Sequence, residues 1–141
     1  MPREKSCGAV VYKKDSDSIP QYLLLNYGAH WDFVKGQVEP HESEKETALR
    51  ELSEETGITN AKLISGFKET ISYYYRRRGR TVYKEVVYFL VHAMENNVKL
   101  SFEHVGYAWL GYEQAMKKLT FKNAQNVLIK AHGFFRDYKI E

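Results

Sequence analysis

Two apolar runs open the chain. Residues 6–14, SCGAVVYKK, and 21–27, QYLLLNY, are separated by KKDSDSIP, whose Asp, Ser and Pro residues carry turn chemistry. The unbroken YLLL predicts a strand covered on both faces. Further on, residues 61–75 and 81–94 are rich in β-branched and aromatic residues around RRRGR, which predicts a long hairpin with a basic tip. A polar connection over 96–105 leads to a short strand at 107–110, YAWL. The pattern changes to a helical period near the end, where Ala124, Val127, Leu128, Ala131 and Phe135 line one face of a helix over 122–138, after a shorter helix over 114–119. Between the two sets of strands, Ser43 with Glu46 three residues on forms a capping box. It starts a helix that runs to Thr56 and stops at Gly57. Ala48, Leu49 and Leu52 are its expected inward face. Strands and helices in this order predict an α/β fold with a mixed β-sheet sandwiched between α-helices.

Composition changes this picture little. At 141 residues, 43% hydrophobic and 14% aromatic, the chain is expected to form one domain over 1–141. The net charge of +3 hides an asymmetry, because acid gathers in residues 39–55 while RRRGR and the final third are basic. That layout suits an anionic substrate bridged to carboxylates by metal. A single cysteine, Cys7, excludes an intrachain disulfide, and its apolar setting predicts a buried, inert thiol. With no apolar run long enough for a signal peptide or membrane span, the expected location is cytoplasmic, with no membrane partner.

The candidate chemistry lies in the first helix. Glu51, Glu54 and Glu55 fall at i, i+3 and i+4 and share one face, where like charges repel. One reading is a solvated acidic face. The other is a divalent cation, Mg²⁺ before Mn²⁺, since hard ions take oxygen ligands. No nucleophilic Ser, Cys or His arrangement is present.

The whole stretch GQVEPHESEKETALRELSEETGI decides between them. Gly36, Glu42, Arg50, Glu51, Leu52, Glu54, Glu55, Gly57 and Ile58 match the Nudix box, G-x5-E-x7-R-E-U-x-E-E-x-G-U with U a bulky aliphatic residue, and the chain resembles the Nudix hydrolase superfamily. Outside the box, HWDFVKGQVEP, SFEHVGYAWLGYEQA and the hairpin GFKETISYYY…YKEVVYFLV resemble the asymmetrically cleaving diadenosine tetraphosphate hydrolases, the bis(5′-nucleosyl)-tetraphosphatases. Together these segments cover most of the chain.

The resemblance implies a Nudix fold and a metal-dependent reaction in which water attacks a bridge phosphorus of diadenosine tetraphosphate, giving ATP and AMP. It implies a metal site of Gly36, Glu51, Glu54, Glu55 and Glu103, with either Glu55 or Glu103 as general base. Arg50 is expected to pair with a box carboxylate and orient it, its alternative being a surface i,i+4 pair with Glu54. Glu42 is expected to be structural. His30, Lys35 and Lys84 are expected to meet the phosphate chain, with Tyr74 or Tyr75 beside them. Phe121 would offer its ring to an adenine, the alternative being core packing at the start of the last helix. Two positions depart from the pattern of these hydrolases: Val34 stands where they carry proline, and His41 where they carry glycine. Val34 removes a rigid turn element, while His41 must turn without glycine's freedom. The alternatives within the superfamily are removal of pyrophosphate from an RNA 5′ end, which the basic hairpin tip would suit, and cleansing of modified nucleoside triphosphates. A further alternative is a catalytically silent domain that senses nucleotides. Oligomeric state is left open.

Overall fold

The computed structural model describes residues 1–95, 97–101 and 104–137. Its elements follow in the order β1 (Arg3–Lys14), β2 (Pro20–Asn26), β3 (Trp31–Asp32), β4 (Val34–Gln37), α1 (Glu44–Thr56), β5 (Ala61–Arg77), β6 (Arg80–Ala93), β7 (Gly106–Leu110), α2 (Tyr112–Lys118) and α3 (Lys122–Asp137). The strands form one mixed sheet in the order β3-β2-β1-β6-β5, with β4 on β1 and β7 on β2. Strand β1 runs parallel to β6, and the other pairings are antiparallel.

The unbroken apolar runs are explained by helices on both faces. Side chains alternate along a strand, so Cys7, Ala9 and Val11 of β1 pack with Ala48 and Leu52 of α1. Val10 and Tyr12 point the other way, into a core shared with Ala115, Ala124, Val127, Leu128 and Ala131 of α2 and α3. Leu23, Leu24 and Leu25 are all buried, and each such burial contributes about 2 kcal/mol. Cys7 is fully buried, and burial pushes its thiol up to about 11, so it is inert at neutral pH. No described helix is long and apolar enough to cross a membrane.

Helix α1 is fastened as its sequence predicts. Ser43 Oγ accepts from Glu46 N at 3.1 Å, Glu46 Oε1 accepts from Ser43 N at 2.8 Å, and Gly57 ends the helix at φ 75°. One expectation fails: Leu49 is 38% exposed, and Thr47, Glu55 and Thr56 are buried instead. The helix lies flat on β1 and β4, so its inward stripe includes the step after Ala48 only at Leu52.

Residues 31–37, to which the sequence pattern assigns no element, hold two short strands. Asp32 pairs with Leu25, and Val34 to Gln37 pair with Ala9 to Ser6. Val34 is 1% exposed, so a proline there is replaced by a core side chain on a strand. His41 does turn without glycine, at φ 66°. The hairpin reaches two residues further than its sequence suggests, closing through Arg78 and Gly79 at φ 51° and 78°, the paired left-handed conformation of a tight two-residue turn.

Candidate active site

The box carboxylates are organised by one guanidinium. Arg50 Nε donates to Glu42 Oε2 at 2.6 Å and Nη2 to Glu42 Oε1 at 3.0 Å and to the Gln37 carbonyl at 2.9 Å. Its Nη1 reaches Glu51 Oε1 at 2.7 Å and Glu54 Oε2 at 3.1 Å. One side chain therefore makes both pairings expected of Arg50, and its fork spans the loop, β4 and two turns of helix. Besides Arg50, Glu42 accepts from Thr47 Oγ1 at 2.6 Å and from Glu39 N at 3.0 Å. These donors, Arg50 first, bring its carboxyl down to about 2.

Glu51 is held from below as well. A Cβ built on Gly36 would lie 2.0 Å from Glu51 Cδ, so glycine is needed at that place for the carboxylate to sit where it does. Glu54 is the exposed member, with its side chain 58% accessible. Glu55 is the deep one, 6% exposed, with His104 Nε2 3.9 Å from its Oε1. Glu103 lies outside the described residues. Its neighbours Ser101 and His104 do come to α1: Ser101 N bonds the Glu55 carbonyl at 3.2 Å, and Ser101 Oγ meets His104 Nδ1 at 2.9 Å. A donor set of carboxylates without thiolate fits a hard divalent ion. Among the described residues no three His, Cys, Asp or Glu side chains converge as a complete ligand set.

On the other face of β4 lies a cavity of about 290 Å³ lined by Asp32, Lys35, Tyr73, Tyr88, Phe121 and Asn123, among others. Lys35 and Gly36 are consecutive, so one step of the pleat sends the first to this cavity and the second to Glu51. Lys35 Nζ is 3.1 Å from Asp32 Oδ2, and Asp32 Oδ1 accepts from Phe33 N at 2.7 Å. Tyr88 is fully buried, and its hydroxyl has no hydrogen-bond partner among the described residues. Phe121 is 48% exposed, which favours the ring-face reading over core packing, and its helix instead buries Ala124. His30 joins the same rim, 5.1 Å from the Phe121 ring and stacked 5.1 Å from Tyr27.

Of the three consecutive tyrosines, Tyr73 lines the cavity, and Tyr75 stands on its side of the strand, 6.3 Å from it. The structure does not bring Tyr74 to the cavity. Alternation turns it to the opposite face, 63% exposed against Tyr83. Lys84 lies opposite Tyr73 in β6 and is 8% exposed. Burial, with Lys35 adding to it, pulls its ammonium below the ordinary lysine range, and Glu4, 3.5 Å away, opposes this. Sequence reasoning missed Asp32, Tyr88 and Glu4. Asp32 three residues before Lys35 was the available signal; Glu4 had none, since strand register alone brings it to Lys84.

A family model for the NUDIX domain matches residues 3–131. The chain is 37% identical to a bis(5′-nucleosyl)-tetraphosphatase (asymmetrical) of Mus musculus over 92% of this chain and 94% of that one. It is 34% identical to the protein of that description from Caenorhabditis elegans, over 95% and 98%. A crystal structure of a C. elegans Ap4A hydrolase binary complex superposes with a TM-score of 0.84 at 31% identity, covering 95% of this chain and 98% of that one.

Proposed function

Because the chain belongs to the Nudix hydrolase family, whose members generally use divalent metal ions, we propose that it hydrolyses dinucleoside polyphosphates, cleaving diadenosine tetraphosphate asymmetrically to ATP and AMP. One observation carries this reading. A carboxylate cluster and a ring-lined cavity that Lys35 enters meet along β4, so a phosphate chain can reach from one to the other.

In this reading Glu51, Glu54, Glu55 and Glu103, with Gly36 beneath them, hold Mg²⁺ or Mn²⁺. Bound there, such an ion supplies charge neutralisation and lowers the pKa of a water. Arg50 fixes the Glu51 carboxylate and keeps Glu42 out of competition by occupying both its oxygens. Lys35, Lys84, Tyr75 and His30 bind phosphate oxygens, and Tyr73 and Phe121 offer faces to an adenine, a contact worth about 1–3 kcal/mol in nucleic-acid settings. Either Glu55 or Glu103 takes the proton of the attacking water as its oxygen bonds phosphorus and the bridging P–O bond breaks. Phosphoryl transfer of this kind depends on positioning and charge neutralisation.

The test is hydrolysis in ¹⁸O-labelled water with Mg²⁺, offering diadenosine tetraphosphate, triphosphorylated RNA and oxidised dGTP side by side. ATP and AMP from the first, with label in one of them, is the expected result. Preferred turnover of RNA or of the oxidised nucleotide moves the chain to another Nudix reaction. No turnover of any of them makes it a binding domain.

A further inference from the structure

Glu4 is an unexpected group to find beside a cleft for an anion. Parallel pairing places it opposite Lys84, and Lys84 lies opposite Tyr73, so Glu4, Lys84 and Tyr73 form a row across β1, β6 and β5 on one face of the sheet. Its side chain is only 10% exposed. Three donors converge on it: the Tyr75 hydroxyl and the Arg77 guanidinium from β5, both at close hydrogen-bond contact, and the Lys84 ammonium from β6 at 3.5 Å. Lys35 on β4 repels Lys84, and so, more weakly, does Arg77. A carboxylate here opposes the binding of phosphate by simple Coulomb repulsion. What it offers in return is order. Lys84 has a flexible four-carbon stem and a buried ammonium, Arg77 comes from a hairpin tip that otherwise faces solvent, and both lose freedom only if something holds them.

We propose that Glu4 is a positioning residue of the cleft, fastening Lys84, Tyr75 and Arg77 into one donor wall along which the phosphate chain of a nucleoside polyphosphate lies. Substrate phosphates take over donors that Glu4 has already aligned, so ordering is complete before binding. The inference rests on the cleft being the nucleotide site.

Repulsion and positioning predict opposite signs, which makes the test decisive. Inorganic tripolyphosphate is titrated into the full chain by calorimetry in the presence of EDTA, using wild type, Glu4→Ala, Lys84→Ala and the double variant. Glu4→Ala is expected to weaken binding by about tenfold, the scale of coupling within one shared network, and the loss in the double variant to be smaller than the two single losses combined, because Lys84 is one of the three donors Glu4 aligns. KM for diadenosine tetraphosphate should rise with Glu4→Ala while kcat stays within about twofold, the signature of lost binding without lost chemistry. Glu4→Gln keeps the shape and loses the charge; it should weaken tripolyphosphate binding in the same direction by less, and it carries the test if the alanine variant does not fold. Binding as tight as wild type or tighter in either Glu4 variant, additivity in the double variant, or no binding by wild type overturns the proposal. If wild type binds tripolyphosphate but leaves diadenosine tetraphosphate intact, the proposed reaction fails while the role of Glu4 is still read from the titration.

Discussion

Arg50 and Lys84 are both cations held by carboxylates, yet their partners come from very different distances along the chain. Those of Arg50 lie between one and thirteen residues away, within a single loop, strand end and helix. Around Lys84 the wall is tied by contacts between residues 71 and 73 apart, and it exists only because β1, β5 and β6 pair in one register. The first is a local device that helix geometry and two caps almost dictate. The second is a product of the whole sheet. In the proposed reaction the two differ in chemistry as well: one gathers carboxylates for a cation, the other gathers donors for an anion. Lys35 and Gly36, neighbours on β4, are where they touch. Damage to the local device should therefore appear in turnover, and damage to the wall in binding.

The largest test of that division is Glu55→Gln. It exchanges the deep carboxylate for a neutral group of the same shape, so the fold should be kept while kcat falls by about a thousandfold or more, a loss of order 4 kcal/mol or greater in transition-state stabilisation. A near-normal rate, measured with circular dichroism as the check on folding, would remove the metal assignment and with it the contrast. Next in size is Gly36→Ala. The added methyl occupies the place of the Glu51 carboxylate, which can swing aside at the end of a flexible side chain. The melting temperature should change little, while the apparent affinity for Mg²⁺ falls by about 10–100-fold, as when the support of a ligand is lost. Lys84→Ala sharpens the other side: KM should rise about tenfold with kcat nearly unchanged, because the lysine binds ground state and transition state alike.

The same division explains what was legible in the sequence. The Ser43 capping box and the Gly57 stop are set by short spacings within one helix, and the structure holds them as read. The sandwich was legible because runs such as YLLL leave no solvent face. Strands β3 and β4, of two and four residues, are too short to show a period, and only pairing with β2 and β1 makes them strands. Which way Tyr74 points, and that Glu4 meets Lys84, are matters of register, which no window of sequence contains. Leu49 fails for a milder reason: helical spacing defines a stripe but not its centre.

A smaller effect follows from the Glu42 carboxyl, brought from 4.5 to about 2 chiefly by Arg50. A group with a depressed folded pKa contributes stability that is present above the unfolded value and lost as pH falls through the folded one. The stability gap between wild type and Glu42→Gln, measured by urea unfolding, should therefore be constant above about pH 5 and close progressively between pH 4.5 and 2. A gap independent of pH would mean that the Arg50 network does not depend on the Glu42 charge.

The smallest effect belongs to His41, which turns the loop before Glu42 at φ 66°. A left-handed conformation costs a residue with a Cβ about 1–2 kcal/mol, and glycine nothing. Glycine also adds freedom to the unfolded chain, and that offsets roughly 0.5–1 kcal/mol of the relief. His41→Gly should then raise stability by no more than about 1.5 kcal/mol. It should leave kcat and KM unchanged, because Glu42 keeps its hold on Arg50 whatever side chain precedes it. A clear fall in kcat would show that the histidine ring, and not only the turn it occupies, supports the carboxylate cluster, and the local device would then extend one residue further than its hydrogen bonds indicate.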